Sequence, residues 1–121
     1  MIRFVARTLL ALPFVLLGWE AYQEPGKRVQ SAEKIGVPEP ELAVKANGLT
    51  MVGAGIAMAL GIVPRLSALT LIGSLVPTTY AGHRFWEFDE TAQRTNQRIH
   101  FLKNVSMIGG LLAVVAHKPE D

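Results

Sequence analysis

The sequence predicts an all-α polytopic membrane protein, an antiparallel bundle of four transmembrane helices. Three observations predict it. Charged residues make up only 18% of the chain, against roughly 25% in ordinary soluble domains. The apolar residues are contiguous: residues 8–19, 46–63, 66–82 and 104–116 contain no Asp, Glu, Lys or Arg, and each run extends to the roughly 17–25 residues of a spanning helix once its flanks are included. Finally, the runs from 46 and 66 lack a polar face recurring every three or four residues, which a water-soluble bundle would need. A length of 121 residues suits one domain. There is no internal repeat or low-complexity tract, so residues 1–121 are read as a single unit.

The first span is expected at about residues 4–22, with Arg7 and Glu20 reaching toward the lipid surface. Arg3 and Arg7 ahead of an apolar run also suit a secretory signal. No small-x-small cleavage site follows at Gly18-Trp19-Glu20-Ala21-Tyr22, so the segment is expected to be retained. The connection from Gln23 to Lys45 carries Pro25-Gly26, which stops the first helix, and Pro38 and Pro40, which mark a further break. Between them Val29 to Ile35 suits a short surface helix.

A second span at about 45–63 and a third at about 66–83 are joined only by Ile62-Val63-Pro64-Arg65, so they form a hairpin. Gly53, Ala57 and Gly61 make a small-xxx-small ridge on the second span, a helix-packing surface within the chain or toward another copy of it. Pro77 removes one backbone hydrogen bond inside the third span and frees a carbonyl near Gly73. The fourth span is expected at about 99–116.

Four spans place both termini and the Arg65 turn on one face of the membrane and the two long connections on the other. The connections hold Lys27, Arg28, Lys34, Lys45, Arg84, Arg94, Arg98 and Lys103, against Arg3, Arg7, Arg65 and Lys118 on the terminal face. The positive-inside rule would make the connection face cytoplasmic. A net charge of +2, with both signs mixed in the same loops, gives no extended basic surface for nucleic acid. With no cysteine in the chain, thiol chemistry is excluded and a redox role would need a bound group.

Polar residues enter the apolar region in one place. At 100° per residue Gln93, Gln97, His100 and Asn104 fall on one stripe, continued by Met107 and Leu111. Hydrocarbon offers an amide or imidazole no partner, so this stripe must face the bundle. Glu20, Asn47, Thr79 and His83 are candidates at the same depth. They are expected to converge there into a polar mouth.

The ordered set Gly18-Trp19-Glu20-Ala21, Ala46-Asn47-Gly48, Pro64-Arg65-Leu66-Ser67-Ala68-Leu69, Val76-Pro77-Thr78-Thr79, Ala81-Gly82-His83-Arg84-Phe85-Trp86, His100-Phe101-Leu102-Lys103-Asn104 and Gly109-Gly110-Leu111-Leu112 resembles the DoxX family, the actinobacterial type in particular. The resemblance runs from about Arg7 to Ala116. It implies a small four-helix protein of the bacterial plasma membrane, from a family named after a subunit of a sulfur-oxidising, quinone-reducing membrane enzyme. Some relatives are linked to membrane oxidoreductase complexes that handle oxidative stress. On the family pattern His83, Phe85, Trp86, His100, Lys103 and Asn104 are signature positions; Arg84 departs from it, since Pro is frequent there.

Each signature residue has two readings. His100, Lys103 and Asn104, at i, i+3 and i+4, either bond neighbouring helices and Glu20 or hold a ligand. Glu20 either pairs with Lys103 or Arg84 or stays solvated. For a ligand, a quinone fits best, because its carbonyls need N–H donors and its ring an aromatic neighbour such as Trp86 or Trp19. Haem between His83 and His100, and a metal on His83, Glu87 and His100, are both disfavoured by spacing and by the shallow position. Trp19, Tyr22, Phe85, Trp86 and Phe88 also suit an interfacial aromatic belt. Two functional classes follow. One is an accessory subunit or organiser of a quinone-linked redox assembly in the bilayer, without independent catalysis. The other is an autonomous enzyme or carrier for a lipid-soluble substrate such as a quinone. Homo-oligomers fit either class.

Overall fold

The computed structural model describes residues 1–82 and 85–117. His83, Arg84 and Lys118 to Asp121 lie outside the described residues. Four long helices, α1 (Ile2–Gln23), α3 (Pro40–Leu60), α4 (Pro64–Gly82) and α5 (Thr91–Ala116), are joined by a short helix α2 (Lys27–Lys34) and a 3-10 turn at Phe85–Glu87. At 1.5 Å per residue, α4 with its 19 residues is about 28 Å long, close to the ~30 Å hydrocarbon thickness. Helices α1, α3 and α5 are both long and apolar enough to cross a membrane. Helix α4 is less apolar because Ser67, Thr70, Ser74, Thr78 and Thr79 interrupt it; three of these five, Ser67, Ser74 and Thr79, are buried against neighbours.

One boundary differs from the sequence-based expectation, for a reason at the helix start. Helix α3 begins at Pro40 instead of about 45, because Pro occupies its first turn, where the missing N–H has no intrahelical role and the fixed φ suits the helix. Helix α5 begins at Thr91, so its first two turns stand ahead of the apolar span. Helices α1 and α4 both continue through a proline, Pro13 and Pro77.

Successive long helices pack side by side, α1 on α3, α3 on α4 and α4 on α5, while α5 meets α1 only over a short stretch. The bundle is antiparallel throughout: Gly18 meets Gly48 where α1 faces α3, Asn47 meets Thr78 across α3 and α4, and Thr79 meets Asn104 across α4 and α5. Large apolar side chains such as Leu9, Leu16, Ile56, Leu69, Val76, Leu102 and Leu112 point outward. Small or polar residues, Ala11, Ala68, Ser67, Ser74 and Asn104, are buried. A soluble monomer does not expose apolar surface on that scale; the arrangement is that of a protein whose solvent is lipid.

The tightest contact explains why α1 lies on α3. A Cβ built on Gly18 would stand 2.6 Å from the Gly48 carbonyl oxygen, and one on Gly48 would stand 2.5 Å from the Gly18 carbonyl oxygen. The two backbones therefore touch without intervening side chains. The seam runs through Ala11, Phe14, Gly18 and Ala21 on α1 and Gly48, Gly55 and Met58 on α3, all buried. Steps of three and four residues keep one face of each helix on the other. Within this chain Gly53 is not part of that ridge, since a Cβ there would have nothing within 4 Å. Gly61, likewise assigned to the ridge by its spacing, instead ends α3 with φ 77°. Its N–H bonds Met58 O at 3.1 Å and the Ile62 N–H bonds Ala57 O at 2.8 Å, a glycine-terminated helix end that satisfies two last-turn carbonyls. Ala57 is half-buried.

Gly18→Ala should lower the thermal midpoint in mild detergent, by an amount corresponding to about 1–3 kcal/mol of overpacking. Gly53→Ala, which meets open space and improves helix propensity, should leave it unchanged or slightly higher. Differential scanning fluorimetry of the two variants checks both.

Candidate functional site

Two consecutive threonines organise the polar residues inside the bundle. Thr78 and Thr79 are about 100° apart around α4, so one faces α3 and the other α5. On the α3 side, Asn47 Nδ2 donates to Thr78 Oγ1 at 3.2 Å, and Ser74 Oγ donates to Asn47 Oδ1 at 2.6 Å. The same Nδ2 lies 3.6 Å from Met51 Sδ. On the α5 side Asn104 Nδ2 donates to Thr79 Oγ1 at 3.0 Å. Each threonine hydroxyl in turn donates to a carbonyl four residues earlier, Thr78 to Ser74 O and Thr79 to Leu75 O, both at 2.7 Å. Ser74, Thr79 and Asn104 are at most 6% exposed. The result is a polar belt across three helices whose hydroxyl protons are all bonded internally.

The predicted site residues separate into groups. Asn47, Thr79 and Asn104 belong to the belt. His100 and Gln97 are half-buried on the same stripe of α5 and both are engaged in further contacts. Gln93, the next member outward, is exposed. Lys103 is exposed on a different face of α5. Glu20 joins neither Lys103 nor the belt: its carboxylate pairs with Arg28 at 3.5 Å, on the outside of the bundle. Arg28 also donates to Glu24 O at 3.3 Å, so this pair fastens α2 to the end of α1. His83 lies outside the described residues.

Trp86 is half-exposed and packs with Phe85 and Phe101 in an edge-to-face trio, with ring centroids 5.3 to 5.9 Å apart. The trio pins the 3-10 turn to α5 one residue from His100. Trp19 and Tyr22 form a second aromatic pair, 5.6 Å apart, near the end of α1. Among the described residues no group of three or more His, Cys, Asp or Glu is placed to hold a metal.

Ser74 and Thr78 join the belt without being among the candidates for the polar mouth. Their signal is the recurrence Ser67, Leu71, Ser74, Thr78, in steps of four and three, which puts them on one face of α4. Hydroxyls are common in membrane helices because they can bond their own backbone, so the recurrence alone does not mark a site.

The model of the DoxX family matches residues 2–84. The chain belongs to the DoxX family. The match covers α1 to α4 and stops before α5, so Asn104 and His100 lie beyond it. The inner membrane protein YphA of Escherichia coli (strain K12) is 30% identical over 115 residues, which is 95% of this chain and 81% of that protein. No solved structure matches. Family membership, the inner-membrane relative and the apolar helices together make this DoxX protein a multi-pass protein of the bacterial plasma membrane.

A double-mutant cycle on Thr79→Val and Asn104→Leu should return a coupling energy of about 0.6 kcal/mol, with ~1.7 kcal/mol as the upper bound known for such bonds in membranes. Asn47→Leu should cost more than Asn104→Leu, because it leaves Ser74 and Thr78 both without their partner. Reversible unfolding in mixed micelles gives all of these values.

Proposed function

We propose that this DoxX protein is a small accessory subunit or organiser of a quinone-linked redox assembly in the plasma membrane and does no bond chemistry alone. The observation that carries the reading is the way the belt is bonded. Asn47, Ser74, Thr78, Thr79 and Asn104 spend their donors on one another and on the backbone. Together they hold α3, α4 and α5 in register. None of them stands as a nucleophile beside a base, the arrangement that covalent catalysis needs. What the molecule offers to a partner is the connection face: the surface helix α2, the aromatic trio, and the exposed first turns of α5 with Arg94 and Arg98. The family's links to membrane redox complexes give that partner its class.

His100, half-buried and next in sequence to Phe101 of the aromatic trio, favours a second reading, in which the protein itself carries a quinone. An imidazole N–H would meet a quinone carbonyl while an aromatic edge meets the ring.

Gentle detergent extraction from the native membrane, followed by mass spectrometry of co-purifying proteins and lipophilic molecules, tests both. Stoichiometric redox proteins, lost when Arg94 and Arg98 are reversed to Glu but kept in Asn104→Leu, support the accessory role. A quinone lost on His100→Ala without loss of proteins supports the carrier. Bulk lipid alone overturns both.

A further inference from the structure

A cleft of about 460 Å³ opens on the connection face between α2 and the first turns of α5, within the roughly 300–1,000 Å³ of small-molecule sites. Its walls follow from the patterning of the two helices. On α2, Val29 is half-buried and Ala32 buried, and this helix packs on α3 and α4. The other side of α2 lines the cleft with Lys27, Gln30, Ser31 and Lys34, at i, i+3, i+4 and i+7. Helix α5 faces them with Gln93, Asn96 and Gln97, at i, i+3 and i+4. Phe88 adds an aromatic wall.

The two walls do not bond each other. Arg28 and Lys45, on the same connection, pair with Glu20 and Glu41, whereas among the described residues Lys27 and Lys34 form no ion pair. Ser31 is half-buried, and its hydroxyl does not donate to the carbonyl four residues earlier, as those of Thr50, Thr70, Thr78 and Thr79 do at 2.7 to 3.0 Å. Gln97 is engaged in a further contact, which leaves Gln30, Ser31, Gln93 and Asn96 to meet a ligand. An ammonium group offers three donors and no acceptor, while an amide or a hydroxyl offers both. The lining therefore suits a molecule that brings anionic oxygens for the lysines and hydroxyls for the amides. Gln93 also stands in the first turn of α5, the end of a helix that favours negative charge. Asp89 and Glu90 precede that turn without lining the cleft, so the selection rests on hydrogen-bond matching together with charge.

We propose that this cleft binds a phosphorylated polyol, with the phosphate between Lys27 and Lys34 and the hydroxyls on Gln30, Ser31, Gln93 and Asn96. The two lysines are two turns apart, about 10 Å along α2, and their long side chains can converge on one phosphate from either side. Inorganic phosphate would leave the amides unmatched, and a neutral polyol would give the lysines no charge to pair with. The same group can arrive free in water or as the headgroup of a lipid. The cleft stands where a headgroup would be, since Gln97 precedes Asn104 by seven residues, about 10 Å outward along α5. Such a site needs no partner protein and stands apart from the redox reading.

The test titrates the full chain, purified in a neutral detergent, with inositol monophosphate, inorganic phosphate and inositol, followed by isothermal titration calorimetry. A parallel arm reconstitutes it with equal phosphatidylinositol and phosphatidylserine, lipids of the same net charge, and weighs the retained lipid by native mass spectrometry. Inositol monophosphate should bind at one site, about tenfold more tightly than inorganic phosphate or inositol. Lys27→Gln or Lys34→Gln should weaken it about tenfold, the equivalent of one charge-assisted hydrogen bond. Asn96→Ala should weaken inositol monophosphate and leave inorganic phosphate unaffected. All three side chains are exposed, so folding is not at risk. Arg94→Gln with Arg98→Gln, on another face of α5, should change neither. Preferred retention of phosphatidylinositol, lost in Lys27→Gln, supports the proposal with a lipid headgroup as the source; binding of the free ester without a lipid preference supports it with a soluble one. Inorganic phosphate binding as tightly as inositol monophosphate, binding that Lys27→Gln and Asn96→Ala leave unchanged, or no binding in either arm overturns it.

Discussion

Hydrocarbon gives a polar group nothing to bond and gives apolar side chains no reason to leave it, and the rest of this structure follows from that pair of conditions. Leucines and isoleucines gain little by turning inward, so many of them, Leu9, Leu16, Ile56 and Leu69 among them, face lipid while Leu71 and Leu111 fill the core. What brings helices together is close backbone contact and a few internal hydrogen bonds. Gly18 against Gly48 provides the first, and Thr78 and Thr79 organise the second. The α1–α3 pair is held mainly by shape, whereas α3, α4 and α5 are also held by a polar belt. Two mechanisms therefore divide one small bundle between them.

That division has consequences for function. The belt fixes the connection-side ends of three helices, which positions the aromatic trio and the emergent turns of α5 as a firm surface. At the terminal end Arg65 donates to Val115 O and links α4 to α5, and α1 and α5 touch over a short stretch. The connection-side end of the molecule is tied by internal hydrogen bonds. Under the accessory reading proposed above, the tied end is the face offered to a partner.

The charged residues divide in the same way. The pair Glu20 with Arg28 is exposed and contributes little to stability by itself, but it sets where α2 lies. Arg7 is the reverse case, a cation drawn into the protein with one N–H unmatched.

The sequence by itself determined the fold class and the place of the protein, because a run of about 18 apolar residues has few stable fates other than crossing a membrane. It also determined that Asn104 faces inward and continues toward Leu111, since a polar stripe at helical spacing must avoid lipid; that both are buried follows the same logic. The tertiary structure alone decided which partners meet. Gly53, Ala57 and Gly61 have the right spacing for a packing ridge, but spacing does not say which face of α3 meets α1, and the contact falls on Gly48 and Gly55. The partner of Glu20 depended on where α2 lies, a matter of loop geometry with no periodic signal. Ser74 and Thr78 could equally have bonded only their own helix until Asn47 was brought beside them.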